Sequence, residues 1–396
     1  MNEKMIRKYA RMLATVGINV QKGQKVLVEA CIEGHAFANV FAQECYEVGA
    51  SEVIINYLDL PYLKTKATYQ SEEDVRKIEN WEIERYQKAL DEGACTIRLE
   101  GVNPKLMEDA SESQANAIFS YVDNMRNIMR KASREKHCQW CIAMVPTMEW
   151  ATLMFPELNP HAALSKLWDI LFDLCYLTED NDIEEVWKQK NKMKHEQGKK
   201  LDALNLKAFH YTSSNGTDLT VELTKYSKFS FEGDPNRISF NANIPTEEIF
   251  TTPYKYGTNG VVYSSRPLIL GGKKVENFGF RFKKGKVVEV IADAGKEMLE
   301  SLIHTDEGAS YLGECALVEY SSPISKSGLV YYNTLIDENA SCHLALGDGF
   351  GYGMEELFNK STIHVDFMIG TADMNIDGLR EDGTWIPIFR NGDFVI

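Results

Sequence analysis

The pattern of apolar and polar positions changes character about halfway along the chain. Up to about residue 180, amphipathic helical patterns alternate with short apolar runs of the strand type. The helical patterns cover residues 2–16, 34–48 and 71–91, and the strand runs cover 25–30, 52–57, 95–99 and 139–145. Strands separated by helices are typical of a mostly parallel sheet with helices on both faces. The sequence therefore predicts an α/β N-terminal domain.

A highly charged stretch separates this region from the rest of the chain. Residues 181–204 combine a helical pattern with a dense run of glutamate and lysine. Such a run is typical of a solvated helix face, so it does not by itself indicate a binding patch. We expect an α/β domain over residues 1–180, a helical connector over 181–204 and a second domain over 205–396.

The second half of the chain has shorter apolar runs and frequent turn-forming pairs. Three of these pairs are of the kind that closes tight hairpins, namely Asn215-Gly216, Asp382-Gly383 and Asn391-Gly392. The last two flank the apolar run 384–390, so they predict a terminal antiparallel meander. Helical patterns are few, such as the one over residues 295–304. This region therefore predicts a strand-rich α+β C-terminal domain.

Charge and cysteine content narrow the possible functions. The 396 residues include 58 acidic and 43 basic side chains, which gives a net charge of −15. Such a surface disfavours nucleic acid and anionic membranes as partners and attracts cations. The eight cysteines are scattered, the first residues lack the apolar core of a signal peptide, and no apolar run approaches the roughly 20 residues of a membrane span. We therefore expect a cytoplasmic protein with reduced thiols and no membrane partner.

Five histidine and acidic residues of the C-terminal half form a candidate metal site. The clearest pair is His364 and Asp366, which stand two residues apart in an apolar run. On a strand both side chains point to the same face, where an unpaired buried charge would be costly. A divalent cation is a partner that suits an imidazole and a carboxylate together. The other three candidates are Glu248, Glu314 and His343.

The chemistry of this set favours one kind of metal centre. Three carboxylates and two imidazoles suit Zn²⁺, Co²⁺, Mn²⁺ or Mg²⁺ better than a metal that prefers thiolates. A structural zinc takes about four ligands, mostly Cys and His. Five ligands rich in carboxylate fit two ions about 3.5–4 Å apart that share one carboxylate. Taken singly, Glu314 could instead be a surface or capping carboxylate, and His343 a histidine of the core.

Several motifs that would carry other chemistry are absent from the sequence. There is no Gly-x-Gly-x-x-Gly fingerprint, no Walker A loop, no Gly-x-Ser-x-Gly nucleophile elbow and no HExxH pair. Nucleotide binding, serine hydrolase chemistry and zincin chemistry therefore lack their usual carriers.

Four segments of the C-terminal half resemble the signatures of the M29 metallopeptidases. They are residues 243–251, 313–318, 337–347 and 364–370, and weaker similarity runs through essentially the whole chain. The resemblance implies an aminopeptidase that removes N-terminal residues from short peptides through a water molecule activated by two divalent metal ions. It also implies a homodimer. The metal ligands implied by the resemblance are Glu248, Glu314, His343, His364 and Asp366.

One position departs from the family pattern. The family has a tyrosine seven residues after the first ligand histidine, where this chain has Phe350. Phenylalanine has no hydroxyl group with which to bind a metal or to stabilise an oxyanion. Tyr352 could take over this role if the glycine-rich loop shifts; otherwise it is only a loop residue. The departure leaves open a catalytically weakened paralogue that binds peptides or metal. A metal-dependent hydrolase of another small amide or ester is a separate alternative.

Two further glutamates are candidates for roles beside the metal. Glu247 is the candidate general base, because it stands next to a ligand and has no ligand role of its own. Neighbours on an extended strand point to opposite faces, so this role requires a turn in the backbone; otherwise Glu247 faces outward. Glu338, five residues before His343, is either a carboxylate that orients a ligand histidine or a surface residue.

Overall fold

A computed structural model of the protein describes residues 2–103, 106–107, 109–136, 138–230, 238–270, 273–350, 354 and 356–396. The chain divides into two compact units. The first comprises Met1–Lys188 and Gly233–Pro245, and the second comprises Gln189–Glu232 and Thr246–Ile396. Within the described residues, every helix is too short or too polar to serve as a membrane span.

The regular elements are named in chain order. The strands are β1 (Lys25–Cys31), β2 (Glu52–Leu58), β3 (Cys95–Glu100), β4 (Trp140–Met144), β5 (Ala208–Thr212), β6 (Asp218–Glu222), β7 (Asn243–Ile244), β8 (Ile249–Thr251), β9 (Thr258–Tyr263), β10 (Leu268–Leu270), β11 (Lys273–Lys283), β12 (Lys286–Ala294), β13 (Leu312–Leu317), β14 (His343–Gly347), β15 (His364–Met368), β16 (Asn375–Leu379), β17 (Trp385–Arg390) and β18 (Asp393–Phe394). The α-helices are α1 (Glu3–Met12), α2 (His35–Glu47), α3 (Leu60–Tyr69), α4 (Glu72–Arg76), α5 (Asn80–Asp91), α6 (Glu112–Lys136), α7 (Met148–Met154), α8 (Pro160–Leu174), α9 (Ile183–Ala203), α10 (Lys296–Ile303), α11 (Pro323–Lys326) and α12 (Thr334–Asp337).

The first unit is an α/β structure built on one parallel sheet, as the sequence predicts. Its five strands lie in the order β2-β1-β3-β4-β7, and every neighbouring pair is parallel. Val26, Leu27 and Val28 of β1 are all fully buried, which explains why this central strand reads as a continuous apolar run. The short fifth strand, β7, comes from far along the chain, and its two residues carry no periodicity that a sequence pattern could reveal.

The second unit is strand-rich, which confirms the predicted fold class. One sheet has nine strands in the order β10-β11-β9-β6-β5-β16-β17-β18, with β12 paired to β11. The predicted terminal meander is its β16-β17-β18 edge. Asn391 and Gly392, with φ angles of 52° and 81°, form the turn between its last two strands, where a tight hairpin requires positive φ.

A smaller antiparallel sheet in this second unit positions the candidate site. Its four strands lie in the order β15-β14-β13-β8. The two inner strands, β13 and β14, are buried at every residue. The core next to them includes Phe367, Phe278 and Phe280, whose rings contact one another. Polar side chains on these strands are therefore held by a packed apolar frame.

Candidate metal centre

The four-stranded sheet brings the five predicted metal ligands together. Glu314 lies on β13, His343 begins β14, and His364 and Asp366 lie on β15, while Glu248 immediately precedes β8. Antiparallel pairing sets their relative positions, since β14 pairs with both β13 and β15. Ligand atoms of Glu248, Glu314 and His343 lie within 4.8 Å of one another, and so do those of Glu314, His364 and Asp366.

The two groups of three share Glu314. Its Oε1 atom lies 3.8 Å from Nε2 of His343, and its Oε2 atom lies 3.3 Å from Nε2 of His364. On the outer sides, Oε2 of Glu248 lies 3.0 Å from Nε2 of His343, and Oδ1 of Asp366 lies 3.4 Å from Nε2 of His364. A carboxylate between two such groups is the arrangement that suits two neighbouring cations.

Backbone carbonyl groups orient both histidines. Nδ1 of His343 donates to the carbonyl oxygen of Glu338 at 2.8 Å, and Nδ1 of His364 donates to the carbonyl oxygen of Asp348, also at 2.8 Å. Because a carbonyl oxygen can only accept, each neutral ring carries its hydrogen on Nδ1 and leaves the Nε2 lone pair toward the carboxylates. This is the tautomer that a metal ion needs.

The same contact corrects the interpretation of Glu338. Its backbone carbonyl, not its carboxylate, orients His343. Glu338 is also only 7% exposed, so it is not a surface residue. Burial, together with the negative charges of Asp366 and Glu248, raises the pKa of its carboxyl group well above the usual range.

The side chains of the cluster carry more negative than positive charge. Burial raises the pKa of Glu314 to about 7, against the opposing effect of its hydrogen bond with His364. Burial acts to lower the pKa of His343, but the hydrogen bond with Glu248 and the surrounding carboxylates raise it to about 10. The carboxylates therefore draw protons onto the histidines, and a divalent cation would meet the same demand without protonation. The donor set thus fits hard or borderline divalent metals.

The segment that carries Glu247 and Glu248 is not a strand. It connects β7 to β8, so the rule that neighbours on a strand face opposite ways does not apply to it. The Glu247 carboxylate contacts Nζ of Lys190 at 2.9 and 3.1 Å. Its backbone N–H donates to Oδ1 of Asn339 at 2.7 Å. The position of Glu247 is therefore fixed by contacts of both its backbone and its side chain.

Two lysines of α9 face this segment, which the sequence did not indicate. Besides Lys190, Nζ of Lys194 lies 3.4 Å from the carbonyl oxygen of Thr246. Burial lowers the pKa of Lys194 to about 8, and the charges of Glu248 and Glu247 partly offset that effect. The interpretation of the charged run as a purely solvated face is wrong for these two lysines, because their partners come from a distant part of the sequence.

Phe350 lies beside a candidate ligand. Its ring centroid is 5.5 Å from that of His364 and 5.1 Å from that of Phe250. Its backbone N–H donates to Oγ1 of Thr252 at 2.9 Å. The position that the family gives to tyrosine therefore presents an apolar ring to the site. Tyr352, the predicted alternative donor, lies outside the described residues.

A buried ion pair supports the segment that precedes His343. Oδ1 of Asp337 lies 3.2 Å from Nη1 of Arg266 and accepts the backbone N–H of Tyr331 at 3.0 Å. The Asp337 side chain is 3% exposed, and that of Arg266 is 14% exposed. Asp337 directly precedes Glu338, so this pair fixes the carbonyl that orients His343. Sequence spacing gave no sign of it.

Comparisons with known proteins identify the family of the chain. The sequence model of the M29 family, described as thermophilic metalloprotease, matches residues 2–394. Aminopeptidase AmpS of Bacillus subtilis (strain 168) is 36% identical over 400 residues, which cover 98% of this chain and 97% of that protein. Aminopeptidase 2 of Geobacillus stearothermophilus is also 36% identical, with 99% of this chain and 98% of that protein covered.

A solved structure extends the agreement to three dimensions. Wild-type AmpT from Thermus thermophilus superposes with a TM-score of 0.91 at 35% identity, and the match covers 100% of both chains. The predicted fold class is thereby confirmed. Sequence and structure together show that the chain belongs to the M29 family of thermophilic metalloproteases.

Proposed function

We propose that the protein is a metal-dependent aminopeptidase that removes N-terminal residues from short peptides. The observation that carries the proposal is the position of Glu314, which faces His343 with one oxygen and His364 with the other. Relatives that match along nearly the whole chain are named aminopeptidases.

Two divalent cations fit the five candidate ligands. Glu248 and His343 would hold one cation, His364 and Asp366 the other, and Glu314 would serve both. When bound, such ions polarise a scissile carbonyl group and lower the pKa of a water molecule between them. Zn²⁺, Co²⁺, Mn²⁺ and Mg²⁺ all suit a set of imidazole and carboxylate ligands.

Glu247 is the proposed general base. Its carboxylate would accept a proton from the attacking water and return it to the departing amine as the peptide C–N bond breaks. The contact with Lys190 and the hydrogen bond from its N–H to Asn339 support this role, because they fix the position of the group. Tyr352 is the proposed donor to the oxyanion, in the role for which Phe350 has no hydroxyl group.

The experiment that tests the function uses pairs of fluorogenic substrates. Aminoacyl amides with a free N-terminus are compared with the same amides after N-acetylation. An aminopeptidase releases the fluorophore only from the free forms. Equal hydrolysis of both forms would replace the proposal with a hydrolase of other small amides.

The position of Phe350 beside His364 favours one further candidate function, a paralogue that binds metal or peptide. Metal binding without hydrolysis of any amide would select this candidate.

Assembly and location complete the proposal. We assign the chemistry to the second unit, since all five candidate ligands lie there. We also propose a homodimer, which light scattering of the purified protein tests. A cytoplasmic location fits the finding that none of the eight cysteines forms a disulfide bond. Fractionation of cells that make the protein would test it.

A further inference from the structure

We propose that the first unit carries a separate binding site for a small planar molecule whose ring bears a hydrogen-bond donor beside an acceptor. The site is a cavity of about 320 Å³. It is lined by polar and aromatic residues, among them Glu29, Asn56, Trp81, Tyr86 and Tyr121. All of them belong to the first unit, so the site is distinct from the candidate metal centre.

The cavity lies beside two neighbouring strands of the parallel sheet. Glu29 stands near the carboxyl end of β1, and Asn56 and Tyr57 stand near the carboxyl end of β2. The rest of its lining comes from α5 and α6, among them Trp81 of α5 and Tyr121 of α6.

The floor of the cavity offers an unused donor. Asn56 is 7% exposed, and its Nδ2 group has no hydrogen-bond partner among the residues that the structure describes. A buried donor without a partner destabilises the folded protein. A ligand with an acceptor atom at this point would remove that cost.

An acceptor stands beside that donor. Glu29 is the register partner of Asn56 on the neighbouring strand, which places the two side chains on the same face of the sheet. Nε and Nη2 of Arg126 both donate to Oε1 of Glu29, at 3.0 and 2.9 Å. Oε2 receives no donor from the described part of the chain. The floor therefore presents one donor and one acceptor, and it selects a ligand with the complementary pair.

Aromatic rings form the walls and the mouth. Trp81 is 65% exposed, which is unusual for a side chain with so much apolar surface. Tyr121 is held in place by donating its hydroxyl hydrogen to Glu82. Flat aromatic faces next to a polar floor suit a ring that stacks while its edge forms hydrogen bonds. A nucleobase and an aromatic carboxamide such as benzamide share this chemistry, because each carries a donor beside an acceptor on a planar ring system.

The test is direct binding of one probe from each source. Adenosine represents the nucleobase, and benzamide, which has no amino terminus, represents the aromatic carboxamide. Calorimetric titration of the full-length protein, with and without added metal, should show one ligand per chain for at least one probe. Binding of adenosine alone identifies a nucleobase site, and binding of benzamide alone identifies an aromatic carboxamide as the ligand class.

Variants tie the binding to the cavity. Asn56→Leu should weaken the bound probe about tenfold, because it removes the donor of the floor. Trp81→Ala should weaken it to a similar degree through lost stacking, about tenfold, and this exposed position tolerates truncation without loss of the fold. Tyr69→Ala, at an 84% exposed aromatic residue outside the cavity, is the matched control and should bind normally. Absence of binding by both probes, or affinities that neither cavity variant changes, would overturn the proposal.

Discussion

Oε2 of Glu314 lies 3.3 Å from Nε2 of His364, while the other oxygen of the same carboxylate is turned toward His343. The antiparallel register creates this relationship, since β14 separates the strand of Glu314 from the strand of His364. Because Glu314 belongs to both groups of three, it is the candidate ligand whose loss should affect both of the proposed metal ions.

Substitution of the shared carboxylate gives the first prediction. Glu314→Gln should reduce bound metal from two ions per chain to less than one and lower turnover by more than about 100-fold, since it removes the charge that both ions share. Metal content is measured by elemental analysis after dialysis. Glu300→Gln, at an exposed position on α10, is the control. Retention of two ions and full turnover in Glu314→Gln would contradict a shared ligand.

The second prediction concerns proton transfer. Glu247→Gln should lower kcat by about 10²–10⁴ while bound metal is unchanged, because the amide cannot accept a proton. Lys190→Met should cause a smaller loss, since it leaves the base in place but frees its side chain. Lys188→Met, an exposed lysine on the same helix, should have no effect. Undiminished turnover in Glu247→Gln would remove Glu247 from the mechanism.

The third prediction concerns the missing tyrosine. Tyr352→Phe should lower kcat by about 10²–10³, the usual cost of losing one oxyanion donor. Adding Phe350→Tyr to this variant should restore part of the activity, because the ring of residue 350 already lies beside His364. Steady-state kinetics of the two variants provide the comparison. If Tyr352→Phe kept full activity, Tyr352 would be only a loop residue.

The fourth prediction concerns stability. Arg266→Met removes the cationic partner of the buried Asp337 and should destabilise the protein by about 3–5 kcal/mol. Arg281→Met breaks an exposed pair with Glu289, whose side chains are 50% and 53% exposed, and should cost no more than about 1 kcal/mol. Urea denaturation of both variants measures the difference. Equal losses would show that Asp337 does not depend on Arg266.

The sequence predicts those features of the site that depend on local pattern. His364 and Asp366 fall on one strand face because side chains alternate with a period of two residues, and β15 confirms the strand. Strands β1 to β4 and helices α1, α2, α4 and α5 of the first unit follow from the same kind of periodicity, whereas α3, α6, α7 and α8 were not predicted. Their bounds shift by only a residue or two from the prediction for most strands, since the apolar runs end where burial ends.

Features that depend on packing between distant segments could not be predicted. Lys190 and Lys194 lie in a run that looks like a solvated helix, yet tertiary structure places them against Thr246 and Glu247. The carbonyl of Glu338 orients His343 through a backbone atom, which no side-chain pattern reveals. The pairing of Asp337 with Arg266 likewise joins residues that are far apart in sequence.

The most direct test of the central claim is metal-dependent release of an N-terminal residue. Protein stripped of metal is reloaded separately with Zn²⁺, Co²⁺, Mn²⁺ or Mg²⁺ and mixed with a panel of aminoacyl fluorogenic amides. We predict that at least one metal restores release in the unaltered protein and none restores it in His364→Ala. No release with any metal, although two ions bind per chain, would contradict the aminopeptidase assignment and favour a metal-binding paralogue.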